Sequence, residues 1–227
     1  MTPDLERARF NMIEQQIRPW DVLDPQVLEL LSQVRREDFV PMQHRALAFV
    51  DMEIPLLADT DEAVRNGWIM LAPKVEARLL QEAAPRPHEK VLEVGAGSGH
   101  MAALLAGMSR QVVTLETKPE LARMARENLQ RAGVRNVDVR EADGAQGLAA
   151  EGPFDVIVLS GSVAEVPAAL LQQLKVGGRL AGIVGEEPVM RATLITRTGD
   201  AAYTTAQRWD TVAPRLAGFP APSRFRF

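Results

Sequence analysis

The stretch "VLEVGAGSGH", residues 91–100, runs four strand-type residues straight into three glycines and then into a segment of helix length. Further apolar or β-branched runs follow the opening "KVLEV" (90–94): "QVVTL" (111–115), "VDVR" (137–140), "FDVIVL" (154–159) and "GRLAGIVG" (178–185). Helix-length segments separate them. Strands that alternate with helices pair in parallel and bury both sheet faces, so the pattern predicts an α/β fold with a doubly wound, mostly parallel sheet. After Gly185, "ATLITRTGDAAYTTAQRW" reads as two strands joined at Thr198, Gly199 and Asp200, which predicts an antiparallel C-terminal hairpin.

Ahead of the first strand the period is helical. "LDPQVLELLSQV" offers Asp24 as N-cap and Pro25 at the first helical position, with Val27, Leu28, Leu30 and Leu31 as an apolar face. A second helix is predicted from Pro73 through "PKVEARLLQEAA", closed by Pro85 and Pro87. Between them "LLADTDEAVRNGW" follows neither period and is expected to be a loop, a long one of the kind that often carries function. Past "QVVTL", Thr117 and Glu120 have capping-box spacing, Leu121, Met124, Ala125 and Leu129 form one stripe, and Gly133 suits a C-terminal cap. The expected organisation is an N-terminal helical segment over 1–85 and a core over 86–227, folded as one unit.

Composition narrows the function classes. With 46% apolar and 25% charged residues, the 227-residue chain is an ordinary globular sequence, which excludes disorder and coiled coil. A net charge of -4 with scattered basic residues argues against nucleic acid as a partner. The absence of cysteine removes disulfides and thiolate metal sites, and His44, His88 and His100 are too widely spaced for a histidine cluster, so no metal is expected and each is read as a surface or loop residue. "MTPDLERARF" lacks the apolar core of a secretory signal, and no later stretch reaches 18 apolar residues, so the expected setting is cytoplasmic, away from membranes.

The glycine loop, Gly95-Ala96-Gly97-x-Gly99, falls at the carboxyl edge of the predicted sheet, where open α/β sheets bind ligands. Glycine there permits positive φ and lets a ligand approach the backbone amides. Glu116 ends the next strand nineteen residues after Gly97, placed to accept hydrogen bonds from ribose hydroxyls. Asp143 in "EADG" is a candidate for an adenine amino group, with Gly144 leaving space for the ring, and Glu93 could face a ligand ammonium from below the loop. Dinucleotides and S-adenosylmethionine share that ribose. The dinucleotide fingerprint wants its third glycine at position 100, and His100 stands there, so a nicotinamide-dependent oxidoreductase is the weaker reading.

Taken together these segments resemble a class I S-adenosylmethionine-dependent methyltransferase, and more narrowly the protein-L-isoaspartate O-methyltransferase family. "MIEQQI" (12–17), "VLELLSQVRREDFVP" (27–41) and Asp51 before "IPL" are similar to that family's opening helices and substrate approach. "VLEVGAGSGH", "NLQRAGVRNVDVREADG", "FDVIVLSGSVAEVP" and "LKVGGRL" are similar to its cofactor half in order and spacing. The resemblance implies a Rossmann-like methyltransferase fold, S-adenosyl-L-methionine as cofactor, a protein or peptide substrate, methylation of isoaspartyl carboxylates in damaged proteins, and cofactor contacts at Gly95, Gly97, Glu116 and Asp143.

The acceptor motif departs from the family pattern. Where the family carries Thr-Ile-Ser-x-Pro, this chain has Ile69, Met70, Leu71, Ala72 and Pro73, so both hydroxyls that would face the acceptor carboxylate are replaced. Leu71, Pro73 and Lys74 are the acceptor-side candidates, and Lys74, Arg65 and Arg78 are possible substitute donors. An apolar wall offers an ionised carboxylate no partner, which predicts weak isoaspartyl turnover or, as the alternative, a relative with another acceptor.

Overall fold

A computed structural model describes residues 3–220; the outermost ends of the two expected segments, 1–2 and 221–227, lie outside the described residues. The chain opens with helix α1 (Pro3–Met12), a π-helical turn at Ile13–Ile17, and helix α2 (Pro25–Gln33). Asp24 caps α2 by accepting from the Gln26 amide at 2.8 Å, and Pro25 takes the first helical position. Two short strands, β1 (Ile54–Pro55) and β2 (Ile69–Met70), pair antiparallel and enclose a helix, α3 (Thr60–Arg65). That helix corrects the expected loop. Asp59 caps it through the Glu62 amide, so a six-residue helix forms in a stretch too short to display a period. Helix α4 (Pro73–Ala83) follows, with Ala84 in the left-handed region at its end.

The main sheet has seven strands: β3 (Lys90–Val94), β4 (Gln111–Glu116), β5 (Val137–Glu141), β6 (Phe154–Val163), β7 (Leu174–Glu186), β8 (Val189–Arg197) and β9 (Tyr203–Thr211). Their order is β5-β4-β3-β6-β7-β8-β9, with β3 to β7 in parallel and β8 antiparallel to both its neighbours. The predicted α/β sheet and its antiparallel finish are therefore present. Helices α5 (His100–Met108), α6 (Pro119–Arg131) and α7 (Ala168–Gln172) form the crossovers from β3 to β4, β4 to β5 and β6 to β7, while β5 reaches β6 through two short 3-10 turns. The expected capping box at α6 does not form: Lys118 is the N-cap, and Pro119 fills the first helical position without a side-chain cap. Gly133 does adopt positive φ just past the helix.

Alternation along the strands explains why they read as continuous apolar runs. Val91, Val112, Val156 and Val158 face one core with α4, α5 and the N-terminal helices, while Leu92, Val113, Ile157 and Leu159 face the other with α7. Met12, Ile13 and Ile17 from the N-terminal segment sit in the first core beside Leu79, Leu104 and Leu105, so the helical front and the sheet share one interior. At the far edge β9 is exposed along most of its length. Among the described residues no helix is long and apolar enough to cross a membrane.

Candidate functional site

Strand order reverses between β3 and β6, and a crevice opens outside their carboxyl ends. The glycine loop forms its floor. Gly95, Gly97 and Gly99 all have positive φ, at 93°, 51° and 84°. A Cβ on Gly99 would press on the Ala125 backbone at 3.2 Å, so the third glycine lets α5 lie close to α6. A Cβ on Gly95 would stand 2.7 Å from Leu216, because the tail of the chain passes directly over the loop. Ala96 is buried and packs among Ala102, Leu121 and Ala125.

Glu116 anchors the loop. Its carboxylate accepts the Gly97 amide at one oxygen and the Lys118 amide at the other, both at 3.0 Å, and it lines the crevice with further acceptor capacity on each oxygen. Gly144 also lines the crevice, yet its lack of a side chain serves packing, since a Cβ there would collide with Val94 at 2.1 Å. Asp143 caps the following turn by accepting the Ala145 amide at 2.9 Å, and Gly218 of the tail packs directly on its carboxylate. Glu93 is placed differently from the expectation. It is wholly buried within β3, accepts the Ser160 hydroxyl at 2.7 Å, and meets the crevice only through that serine. Burial pushes its carboxyl up to about 8.

Two walls escaped the sequence reading. The turn after α3 supplies Trp68, whose ring lies 4.0 Å from the Lys118 ammonium, next to Ile69 of β2, which the acceptor motif had already marked. The tail supplies Arg215 and Leu216. It is fastened at Ser162, whose amide donates to the Pro214 carbonyl at 2.7 Å, whose hydroxyl donates to the Ala213 carbonyl at 2.8 Å, and whose carbonyl accepts the Leu216 amide at 2.9 Å. These walls narrow the crevice to about 60 Å³. Nothing local in "VAPRLAGF" signals a ligand wall, because its role comes only from where Ser162 holds it.

On the acceptor side Pro73 opens α4, and Leu71 packs with Ile183, Met190 and Ala213. Of the three expected substitute donors, two are engaged elsewhere. Lys74 pairs with Asp51 at 2.7 Å above the Trp20 ring, and Arg78 stacks on Trp209 with Asp21 at 3.5 Å. Arg65 remains, in a groove of about 610 Å³ that adjoins the crevice and is shared with Arg215. Beneath the segment lies a buried charged cluster. Arg36 pairs with Glu76 and donates to the Leu71 carbonyl at 2.8 Å, and Glu76 meets His100 Nδ1 at 3.0 Å. Burial alone would raise the Glu76 carboxyl, but His100 and Arg36 together hold it below its ordinary value. His100, expected at a surface or in a loop, is 2% exposed at the start of α5. Among the described residues no group of three or more His, Cys, Asp or Glu could hold a metal.

With this geometry in place, comparison with known proteins is informative. A family model described as protein-L-isoaspartate(D-aspartate) O-methyltransferase matches residues 7–212. A relative from Marinobacter nauticus, protein-L-isoaspartate O-methyltransferase 2, is 38% identical over 216 residues, covering 95% of each chain. One of the same description from Anaeromyxobacter sp. is 39% identical over 198 residues, covering 87% of this chain and 77% of its own. The fold matches a structure described as a protein-L-isoaspartate O-methyltransferase from Plasmodium falciparum in complex with S-adenosyl-L-homocysteine. That match has a TM-score of 0.75 and 20% identity, and covers 93% of this chain and 97% of the other.

Proposed function

This chain belongs to the protein-L-isoaspartate(D-aspartate) O-methyltransferase family, and from that premise we propose that it transfers the methyl group of S-adenosyl-L-methionine to the carboxylate of isoaspartyl residues in damaged protein or peptide chains. The observation that carries the cofactor half is the Glu116 carboxylate lying in a crevice floored by the positive-φ loop Gly95–Gly99. A ribose finds paired acceptors there, and the glycines, whose amides donate to Leu115, Glu116 and Ala96, leave room beside the backbone for a ligand. The residues present fit the group. The tail, fastened by three Ser162 hydrogen bonds and lying with Leu216 against Gly95, forms one wall of the crevice.

Bound in the crevice, S-adenosylmethionine supplies an activated methyl on a sulfonium. The protein's own share is placement. An isoaspartyl carboxylate is ionised near neutral pH, so no general base has to act on it. Holding two reactants in an attack geometry can contribute about 7 to 11 kcal/mol in favourable cases. Ile69, at the edge of the crevice, shields the reacting centre from water and offers no hydrogen bond. Charge for the acceptor comes from Arg65 and Arg215, which have no ion-pair partner among the described residues; Arg215 donates only to the Gly185 carbonyl at 3.0 Å. Glu53, Glu186 and Glu187 line the same groove and oppose that charge.

The test is methyl incorporation from labelled cofactor into an isoaspartyl peptide, with the aspartyl peptide of the same sequence as control. Label in the isoaspartyl peptide alone is the expected result. Bound cofactor with no transfer to either peptide would remove the acceptor half of this reading.

A further inference from the structure

Ile69, Met70 and Leu71 of the acceptor segment line a small cavity of about 20 Å³, which shares Ile69, Gly95, Gly97 and Ser160 with the crevice. Among the described residues Ser160 brings the one hydroxyl that lines both spaces. It is also the one residue from Val156 to Val163 that is not buried. The pairing of β6 with β7 shifts register between Val158 and Ser162, and such an irregularity re-aims a side chain that a regular ladder would leave in the core. A Cβ on Gly95 would come within 3.8 Å of the Ser160 Cβ, so serine and glycine loop lie side by side. Beneath the serine is Glu93. Its Oε1 accepts the Ser160 hydroxyl at 2.7 Å, and its Oε2 is buried without a partner. The charges that act on Glu93 come from Glu116 at the end of β4 and from Glu76 on α4, which is itself paired with Arg36 and His100. Burial first, and then these two carboxylates, favour the neutral form of Glu93.

We propose that Ser160 supplies the acceptor-side hydroxyl of this chain, donating to the isoaspartyl carboxylate, with Glu93 beneath it as the positioning residue that sets the direction of the serine proton. The inference rests on the acceptor reading above and names a residue for it. Ile69 and Leu71 stand where the family carries hydroxyls and offer no donor, so Ser160 meets no competing hydroxyl from that segment. A protonated Glu93 donates from Oε1 to Ser160 Oγ, which frees the serine O–H to turn toward the carboxylate; an ionised Glu93 only accepts, and holds the serine proton to itself. The 2.7 Å separation suits either direction. An arriving anion repels a second negative charge, so substrate and neutral Glu93 favour one another. The reaction asks only for holding. One carboxylate oxygen bonds the methyl as the methyl–sulfur bond breaks with its electron pair going to sulfur, and no proton changes hands. Ser160 holds the other oxygen. Arg65 and Arg215 add charge from the adjoining groove, and the serine adds a fixed direction.

The test is kcat/KM for an N-acetylated isoaspartyl peptide at saturating S-adenosylmethionine, with S-adenosylhomocysteine affinity by calorimetry measured beside it. In Ser160→Ala, kcat/KM is expected to fall about tenfold or more, the worth of a hydrogen bond to a charged group, with S-adenosylhomocysteine affinity unchanged. Ser160→Thr keeps the hydroxyl and should recover most of the loss. Glu93→Gln supplies the readout that a structural role would not move. Its amide donates to Ser160 at every pH, so wild-type kcat/KM should decline as pH rises through about 8 while the variant stays level. The peptide carboxylate is ionised across that range and contributes no decline of its own. An unchanged kcat/KM in Ser160→Ala, or an equal loss of S-adenosylhomocysteine affinity, would overturn the proposal, the second by assigning the serine to the cofactor. So would a Glu93→Gln profile that declines as wild type does. Wild-type protein that binds S-adenosylhomocysteine yet methylates no isoaspartyl peptide would instead remove the acceptor reading and this inference together.

Discussion

Glu116 holds the glycine loop and faces the crevice at once, so removing it has two consequences of different size. Glu116→Ala should weaken S-adenosylhomocysteine binding by about 1.5 to 3 kcal/mol, the usual worth of hydrogen bonds to a charged group, as read by calorimetry. The loss should be equally large for 5′-methylthioadenosine, which keeps the ribose. Glu93 makes a different prediction. Its carboxyl is pushed up to about 8 in the fold and would titrate near the ordinary carboxylate range when unfolded, so the folded state holds the proton more tightly. Stability from this group is complete below the unfolded value and is lost as pH rises toward 8, by up to about 1.4 kcal/mol per pH unit. Glu93→Gln should flatten that decline in denaturant midpoints between pH 5 and 8. A variant that declines as steeply as wild type would show that Glu93 is not the titrating group. The place of Glu116 in the crevice was legible in the sequence, because it ends the next strand at a set distance from the glycine loop. The burial of His100 was not, since its partner Glu76 sits on another helix and no local pattern joins them.

At the scale of elements, the acceptor segment behaves as one piece. β2 runs into α4 through Leu71 and Ala72, and its side chains divide between the crevice at Ile69 and the core at Leu71. Restoring the missing hydroxyls should therefore have unequal effects. Ile69→Thr places a donor at the crevice edge and should raise turnover on isoaspartyl peptide, because one held hydroxyl can contribute on the order of 1 kcal/mol. Leu71→Ser removes apolar contact with Ile183 and Met190 and should lower thermal stability as well. Initial rates with peptide, alongside melting curves, distinguish the two. Helices α2 and α4 were readable because proline and a capping aspartate mark their starts. Helix α3 was not: six residues with an Asp59 cap contain too few turns to show a face. Thr117 and Glu120 had the spacing of a cap, yet Pro119 already satisfies the first turn by lacking an amide hydrogen.

For the molecule as a whole, the N-terminal helices are part of the main core. Ile17 is fully buried beside Leu79 and Leu104 of the sheet-covering helices. Ile17→Ala should cost about 2 to 5 kcal/mol, the range for such truncations, and should lower a single unfolding transition seen equally by tryptophan fluorescence and far-UV circular dichroism. Two separated transitions would mean that the front folds apart from the sheet. The parallel core was legible from strand spacing alone, whereas the closing of the crevice by the tail was not, because it depends on a contact between Ser162 and residues more than fifty positions later. The exposed edge strand β9 has a consequence for the protein in concentrated solution. Along its outer side no other described strand pairs with this nine-residue strand, which leaves a template on which a second chain could add. Arg208 and Asp210 place charge on that strand, tied to Glu82 and Arg191, and a neighbouring copy would have to strip water from them in order to pair. Neutralising both would turn a quiet edge into a nucleus for aggregation, visible as a rise in light scattering long before any loss of fold.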